Sequence, residues 1–467
     1  MFYCNKEEYH SELFNIVRQF KRHEQAEISC LFCVEKLTIN VGDSALKSPK
    51  NFLFQFDFKT KTKKEALFFL KTTLYNVLKS HFNESLPWGA LTGVRPTKLV
   101  YEALNLGKTL DDAKENLINN YFVSPKKAGL ACEIVKNQKP YLLTNEEKNN
   151  LVNLYVHIPF CPSRCNYCSF VSLSSRKFSH LIEMYFEKLI IELEQDLTIL
   201  KSQNKKICSI YIGGGTPSCL PIPMIEKLFA VLKPYSNDCE ITFEAGRADT
   251  ITPELLDALH EKATRICLNP QTLSDTTLKK IGREHTAEEF FTAFNLIKKL
   301  NFVVNCDLIY GIDESEEDFL MTLEKVLALR PENITIHTLS NKKGAKMEQE
   351  VKSDKTAQES IVCPQQRFES QLALHGYHPY YLYRQKEQLS SLENVGYSLL
   401  NHECKNNISV MEETLSIMAS GAGAISKKII RSETNTKIAR LSNLRDVQLY
   451  LDRFDETLEK KESFFKS

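Results

Sequence analysis

Between residues 150 and 340 short apolar, β-branched runs alternate with amphipathic segments, and this rhythm limits the fold more than any other feature of the chain. "LYVHIPF" (154–160), "ICSIYIGGG" (207–215), "EITFEAG" (240–246), "RICLNPQ" (265–271), "FVVNCDLIYGI" (302–312) and "NITIHTLS" (333–340) read as strands, with helical material after each of the first five. Strands alternating with helices form a parallel sheet covered on both faces. Six such units predict an α/β fold, a partial (βα)6 TIM-like barrel. Chemistry in such folds gathers at the C-terminal ends of the strands. The polar and glycine residues that interrupt the apolar runs fall there: three cysteines after the first strand, Gly213-Gly214-Gly215 after the second, Glu244 in the third, Gln271 after the fourth and Asp307 in the fifth.

A chain of 467 residues is too long for one core. Residues 1–147 alternate differently: "AEISCLFCVEKLTINV" and "NFLFQFDFKT" suggest antiparallel strands flanked by helices, hence an N-terminal α+β domain. The barrel is expected over 148–345, and 346–467 reads as a mainly helical C-terminal extension. Lys plus Arg (60) nearly cancels Asp plus Glu (59), so nothing electrostatic favours nucleic acid or an anionic membrane as a partner. The N-terminus "MFYCNKEEYHSELF" carries charges where a signal peptide needs an apolar run, and no stretch has the length of a membrane span. Fourteen cysteines without an export signal point to a reducing, cytoplasmic setting. Cys208, Cys239, Cys267 and Cys306, in or beside strand-like runs, read as packing residues.

"CPSRCNYCSF" is different. Cys161, Cys165 and Cys168 form C-x3-C-x2-C on one loop, one ligand short of a closed metal site. Three thiolates can hold three irons of a 4Fe–4S cluster and leave the fourth iron open to the amino and carboxyl groups of S-adenosylmethionine (SAM). A zinc loop with a distant fourth ligand, or three packing cysteines, are the alternatives. The glycine triplet lets backbone approach a ligand closely, though such triplets also serve as plain turns. Glu244, a carboxylate in an apolar strand, needs a partner, either a ribose diol or a base such as Arg247.

Together, "CPSRCNYC" and, about 45 residues later, "GGGTPS" resemble the radical SAM superfamily. The resemblance implies a 4Fe–4S cluster on the three cysteines and SAM as cofactor. It assigns the SAM amino group to Gly213, Gly214, Gly215 and Thr216, the ribose to Glu244 and the SAM carboxylate to Arg283, with Gln271 and Asp307 as further anchors on the rim. Tyr155 would cap the substrate side as a catalytic residue, or simply pack.

"LYVHIPFCPSRCNYCSF", "YIGGGTPS", "EAGRADTIT", "LNPQTLSDTTLKKIGREHT" and "DLIYGI" together are similar to the oxygen-independent coproporphyrinogen III oxidase family. "PWGALTGVRPTKLV" (87–100), "YYLYRQK", "LENVGYS" and "GAGAISK" resemble one branch of it. The family implies anaerobic oxidative decarboxylation of coproporphyrinogen III propionates to vinyl groups, giving protoporphyrinogen IX, with a low-potential electron donor of the flavodoxin or ferredoxin class. A substrate with four propionates calls for basic residues; Arg95, Lys98, Arg384 and Lys386 are the candidates. Trp88 and the Tyr380–Tyr383 cluster would pack the tetrapyrrole, or Trp88 would anchor a domain interface. Two features depart from the relatives. Ser169-Phe170 follows the third cysteine where the oxidase branch has x-Cys, and "ENVGYS" stands where the heme-chaperone branch has His-Asn-x-x-Tyr-Trp. The rival expectations are accordingly a heme-binding chaperone and a radical SAM enzyme acting on another tetrapyrrole.

Overall fold

The computed structural model describes residues 1–20, 23–33, 35–43, 50–93, 95–170, 172–339, 362–385, 393–432 and 436–466. The chain forms two compact units, one of Met1–Lys136 with Leu382–Glu393, the other of Asn137–Tyr381 with Asn394–Ser467.

The first unit holds a four-stranded sheet in chain order: Phe2–Cys4 parallel to Ala26–Cys33, then Lys36–Asp43 and Lys50–Gln55 antiparallel. Alternation in Ala26–Cys33 turns Ala26, Ile28, Cys30 and Phe32 inward. They share a core with Leu13 and Ile16 of the helix Glu7–Val17 and with Leu70, Leu74 and Leu78 of the helix Lys63–Phe82. A capping box of Thr62 and Glu65 starts the longer helix, and Asn83 in the left-handed region ends it.

The second unit is built on the six predicted parallel strands, Leu151–Ile158, Lys206–Gly214, Glu240–Glu244, Arg265–Cys267, Val303–Tyr310 and Asn333–Thr338. They lie side by side in chain order, as right-handed βα repeats require. The first and fifth strands are buried almost throughout, which matches their continuous Val, Ile and Leu runs. Helices Ser179–Ser202, Ile222–Leu232, Pro253–Leu259, Ala287–Lys299 and Glu316–Leu329 cover the sheet. The last two begin with capping boxes, Thr286 with Glu289 and Ser315 with Asp318.

The C-terminal region carries helices, as expected, and adds strands that the sequence reading did not anticipate. Ser416–Ser420 pairs in parallel with the first barrel strand and continues into Ile425–Arg431 and Thr436–Ser442. Asn394–Ser398 pairs antiparallel with the sixth strand, and His378–Tyr383 lies beyond it. The barrel sheet is thus extended at both edges. No helix among the described residues is long and apolar enough to cross a membrane.

Candidate active site

Parallel register places one face of each barrel strand toward a common lumen. Tyr155 and Tyr211 are register partners with ring centroids 6.1 Å apart, as are Glu244 and Cys267. The Tyr211 hydroxyl donates to Glu244 Oε1, and Gly214 N–H donates to Glu244 Oε2 at 3.2 Å. Tyr155 Oη lies 3.1 Å from His157 Nδ1. On the far side His337 Nε2 is 3.4 Å from Asp307 Oδ2.

Electrostatics follow from this enclosure. Burial pushes the Glu244 carboxyl up to about 7; the Tyr211 bond opposes the rise, nearby Asp307 adds to it, and the Gly214 N–H again opposes it. Burial holds His157 down at about 4, so the ring is neutral at physiological pH. Desolvation raises the hydroxyls of Tyr155 and Tyr211, with Glu244 adding to both. Glu244 forms no ion pair among the described residues; Arg247 pairs with Asp249 instead.

The glycine triplet is dictated by close approach. A Cβ on Gly215 would lie 2.4 Å from Phe160 O, and one on Gly214 (φ +107°) would lie 2.7 Å from the His157 ring. Gly215 N–H donates to Ile158 O at 2.8 Å and Thr216 N–H to Phe160 O, which ties this turn to the entry of the cysteine loop. Thr216 Oγ1 lies 3.5 Å from Cys161 Sγ.

The three cysteines are half-buried. Burial raises the Cys161 thiol, hydrogen bonds from Thr216 and Ser172 lower it, and Cys165 and Cys168 raise it further, so the thiols share one electrostatic neighbourhood. Yet among the described residues no three His, Cys, Asp or Glu side chains converge on a single ion. Three thiols on one loop suit a cluster in which each binds its own iron. The donor set therefore fits a 4Fe–4S group.

Other predicted residues fall on the same rim. Gln271 sits in the left-handed region (φ +67°); its N–H donates to Asp307 O, and Ile309 N–H donates to its carbonyl. Its side-chain Oε1 is buried without a hydrogen-bond partner. Arg283, 8% exposed, donates to Gly246 O at 3.1 Å, to Asn269 O at 2.5 Å and to Tyr167 Oη at 3.0 Å. It is a buried rim residue rather than a solvated helix residue. Among the presumed packing cysteines, Cys239, Cys267 and Cys306 are buried and Cys208 is half-buried.

Several tetrapyrrole candidates need correction. Arg384 belongs to the interior of the first unit: its guanidinium donates to Leu91 O at 2.5 Å and Gln19 Oε1 at 3.2 Å and lies 5.5 Å from the Trp88 ring. It is only 6% exposed, so its side chain is part of the packing of that unit. Trp88, fully buried, donates Nε1–H to Glu393 Oε2 at 2.7 Å, and Lys127 pairs with the same carboxylate. Tyr380 and Tyr381 are interior as well, bonded to Asn407 and Thr335. Arg95 is half-buried and Lys98 exposed, at the start of the helix Thr97–Asn105 in the first unit. Lys386 lies outside the described residues. The sequence reading did not single out His157, Tyr211 or His337 as site residues, although His157 and Tyr211 stand at a period of two from Tyr155 and Gly213, which it did single out.

Residues 155–326 match the Radical SAM superfamily. The chain is also 36% identical over 414 residues to the oxygen-independent coproporphyrinogen-III oxidase-like protein HemZ of Bacillus subtilis, a match covering 86% of this chain and 82% of that protein. The heme chaperone HemW of Escherichia coli is 31% identical over 195 residues, 40% of this chain and 50% of the chaperone. Among solved structures, coproporphyrinogen III oxidase (HemN) from Escherichia coli shares the fold, with a TM-score of 0.53 at 21% identity over 67% of this chain and 70% of that one. The chain is a radical SAM protein and, within that superfamily, belongs to the oxygen-independent coproporphyrinogen III oxidase-like family. Its cofactors are those of the superfamily, a 4Fe–4S cluster and SAM.

Proposed function

We propose that the chain is an oxygen-independent coproporphyrinogen III dehydrogenase, converting propionate side chains to vinyl groups and yielding protoporphyrinogen IX. The observation that carries this reading is the extent of similarity: the oxidase-like relative matches 86% of this chain, whereas the HemW chaperone of Escherichia coli matches 40% of it. When bound, the cluster and SAM supply one-electron chemistry that removes a hydrogen atom from the substrate. Each propionate then loses carbon dioxide and one further electron. An electron donor of the flavodoxin or ferredoxin class serves the cluster, and an acceptor takes the substrate electron.

The chain's residues take the following roles. Cys161, Cys165 and Cys168 hold the cluster. The turn Gly213–Thr216 receives the SAM amino group, and Glu244 accepts from the ribose hydroxyls. Arg283 and Gln271, each with a buried side-chain atom lacking a hydrogen-bond partner, together with Asp307 complete the SAM pocket. Tyr155, oriented by neutral His157, faces the substrate side of the lumen. Arg95 and Lys98 are proposed to grip propionates.

A heme-chaperone function is the second reading, favoured by Ser169-Phe170 after the third cysteine. The test is anaerobic incubation of reconstituted protein with SAM, a low-potential reductant and coproporphyrinogen III. The dehydrogenase gives vinyl product over many turnovers. Tight stoichiometric heme binding with SAM consumed and coproporphyrinogen III untouched would instead establish the carrier. Replacing Cys161, Cys165 and Cys168 together by Ala should abolish the brown chromophore.

A further inference from the structure

We infer that Arg247 is a positioning residue for the cluster-binding loop and acts through Ser163. Arg247 follows the third barrel strand and is 3% exposed. Its guanidinium is forked onto Asp249, with Nε 3.1 Å from Oδ1 and Nη2 3.3 Å from Oδ2. A planar group gripped at two points has a fixed direction. That direction aims Nη1 at Ser163, 2.9 Å from Oγ and 3.5 Å from the carbonyl oxygen. All three guanidinium nitrogens are therefore engaged within the protein.

Ser163 lies midway between Cys161 and Cys165. Its hydroxyl accepts from Arg247 and donates to Gly282 O at 2.8 Å, so one side chain is held from two βα loops at once. The Gly282 side of this grip is tight. Gly282 has φ +79°, and a Cβ there would stand 3.0 Å from Arg164 O. The neighbouring Asn166 donates its backbone N–H to Ile281 O at 2.9 Å and its side-chain Nδ2 to Lys280 O at 2.7 Å. The second half of the cysteine loop is thus fastened to the fourth βα loop. The first half reaches beyond its own turn through Ser163, and the charge in that contact comes from Arg247.

A loop that must present three thiols to three irons benefits from being shaped in advance. Arg247 supplies that shape without touching the metal, as outer partners of metal ligands do. Its paired Asp249 keeps the local charge near neutral, so the contribution is geometric.

This inference rests on the three cysteines binding a 4Fe–4S cluster. The experiment uses the full chain, reconstituted anaerobically with iron and sulfide, and compares wild type with Ser163→Ala, Arg247→Gln, Arg247→Lys and the double variant Ser163→Ala/Arg247→Gln. The readouts are the rate of iron loss to a chelator and the electron paramagnetic resonance line shape of the reduced cluster, with thermal stability followed separately. Ser163→Ala and Arg247→Gln should each speed iron loss by about tenfold and alter the line shape, since each removes a charge-assisted hydrogen bond. The double variant should be no faster than Ser163→Ala alone, and Arg247→Lys should recover part of the loss. Ser163→Ala leaves the barrel core untouched and decides the matter even if Arg247→Gln does not fold. Wild-type rates and line shapes in Ser163→Ala, or additive effects in the double variant, would overturn the inference. Failure of wild type itself to take up iron would overturn the cluster assignment along with it.

Discussion

Two pairs of carboxylates in the second unit meet opposite fates. Behind the barrel, Glu192 and Asp196 on the helix Ser179–Ser202 are fully buried and share Lys461, itself 0% exposed, from the C-terminal helix Phe454–Lys466. Lys461 also donates to Ala419 O at 2.8 Å, while Tyr450, Asn443 and Gly421 N–H converge on Glu192 and Ser420 on Asp196. In the lumen, Glu244 has only a tyrosine hydroxyl and one backbone N–H among the described residues, and Asp307 has His337. No lysine or arginine among the described residues pairs with either lumenal carboxylate. The rear pair is compensated by charge and fastens the terminal helix to the barrel. The lumenal pair keeps acceptor capacity, which suits neutral donors such as ribose hydroxyls. The fully buried pair carries its own cation, whereas the half-buried lumenal pair has no lysine or arginine among the described residues.

The largest expected effect breaks the rear pair. Lys461→Met leaves two buried carboxylates without their cation and should cost about 3–5 kcal/mol in urea unfolding. Glu244→Gln, which removes a carboxylate that lacks a cation, should not destabilise the chain at neutral pH. Equal losses in the two variants would erase the distinction between them. Gly215→Ala comes next. Its new methyl meets Phe160 O, a backbone atom at the entry of the cysteine loop. Overpacking of this kind costs roughly 1–3 kcal/mol, and calorimetric titration with SAM should show weakened binding as well. Unchanged SAM affinity would separate the glycine turn from the cofactor.

The strands and the lumen could be read locally, because alternation, β-branched runs and glycine punctuation are carried by neighbouring residues. Glu244 and Asp307 stood out as polar residues in apolar runs. What could not be read depends on partners far along the chain. Arg247 meets Ser163 across 84 residues and Trp88 meets Glu393 across 305, and no periodicity announces either contact. Arg384 resembled a substrate cation because its sequence neighbours are aromatic and basic; only tertiary packing showed that its guanidinium is turned inward. The strand Ser416–Ser420 escaped notice for the same reason, since what makes it a strand is the edge of the barrel sheet it completes.

A pH series gives the sharpest test of the lumenal carboxylate. Glu244 has an ordinary carboxyl value of 4.5 that burial lifts to about 7 in the folded chain. Between those values the folded chain keeps a proton that the unfolded chain has released. Stability therefore falls as pH rises through that window, by about 3 kcal/mol, and levels off above about 7. Asp196, raised by burial despite Lys461, slopes in the same direction, so Glu244→Gln should remove only part of the fall. SAM binding should run the other way. A ribose diol donates to the carboxylate best when it is ionised, so affinity should rise by about a factor of ten between about pH 6 and about pH 8. In Glu244→Gln the affinity should be lower and nearly flat with pH. Opposite slopes of stability and affinity in wild type, both reduced by the one substitution, would tie the lumenal charge to the cofactor; a pH-independent affinity in wild type would detach Glu244 from the ribose.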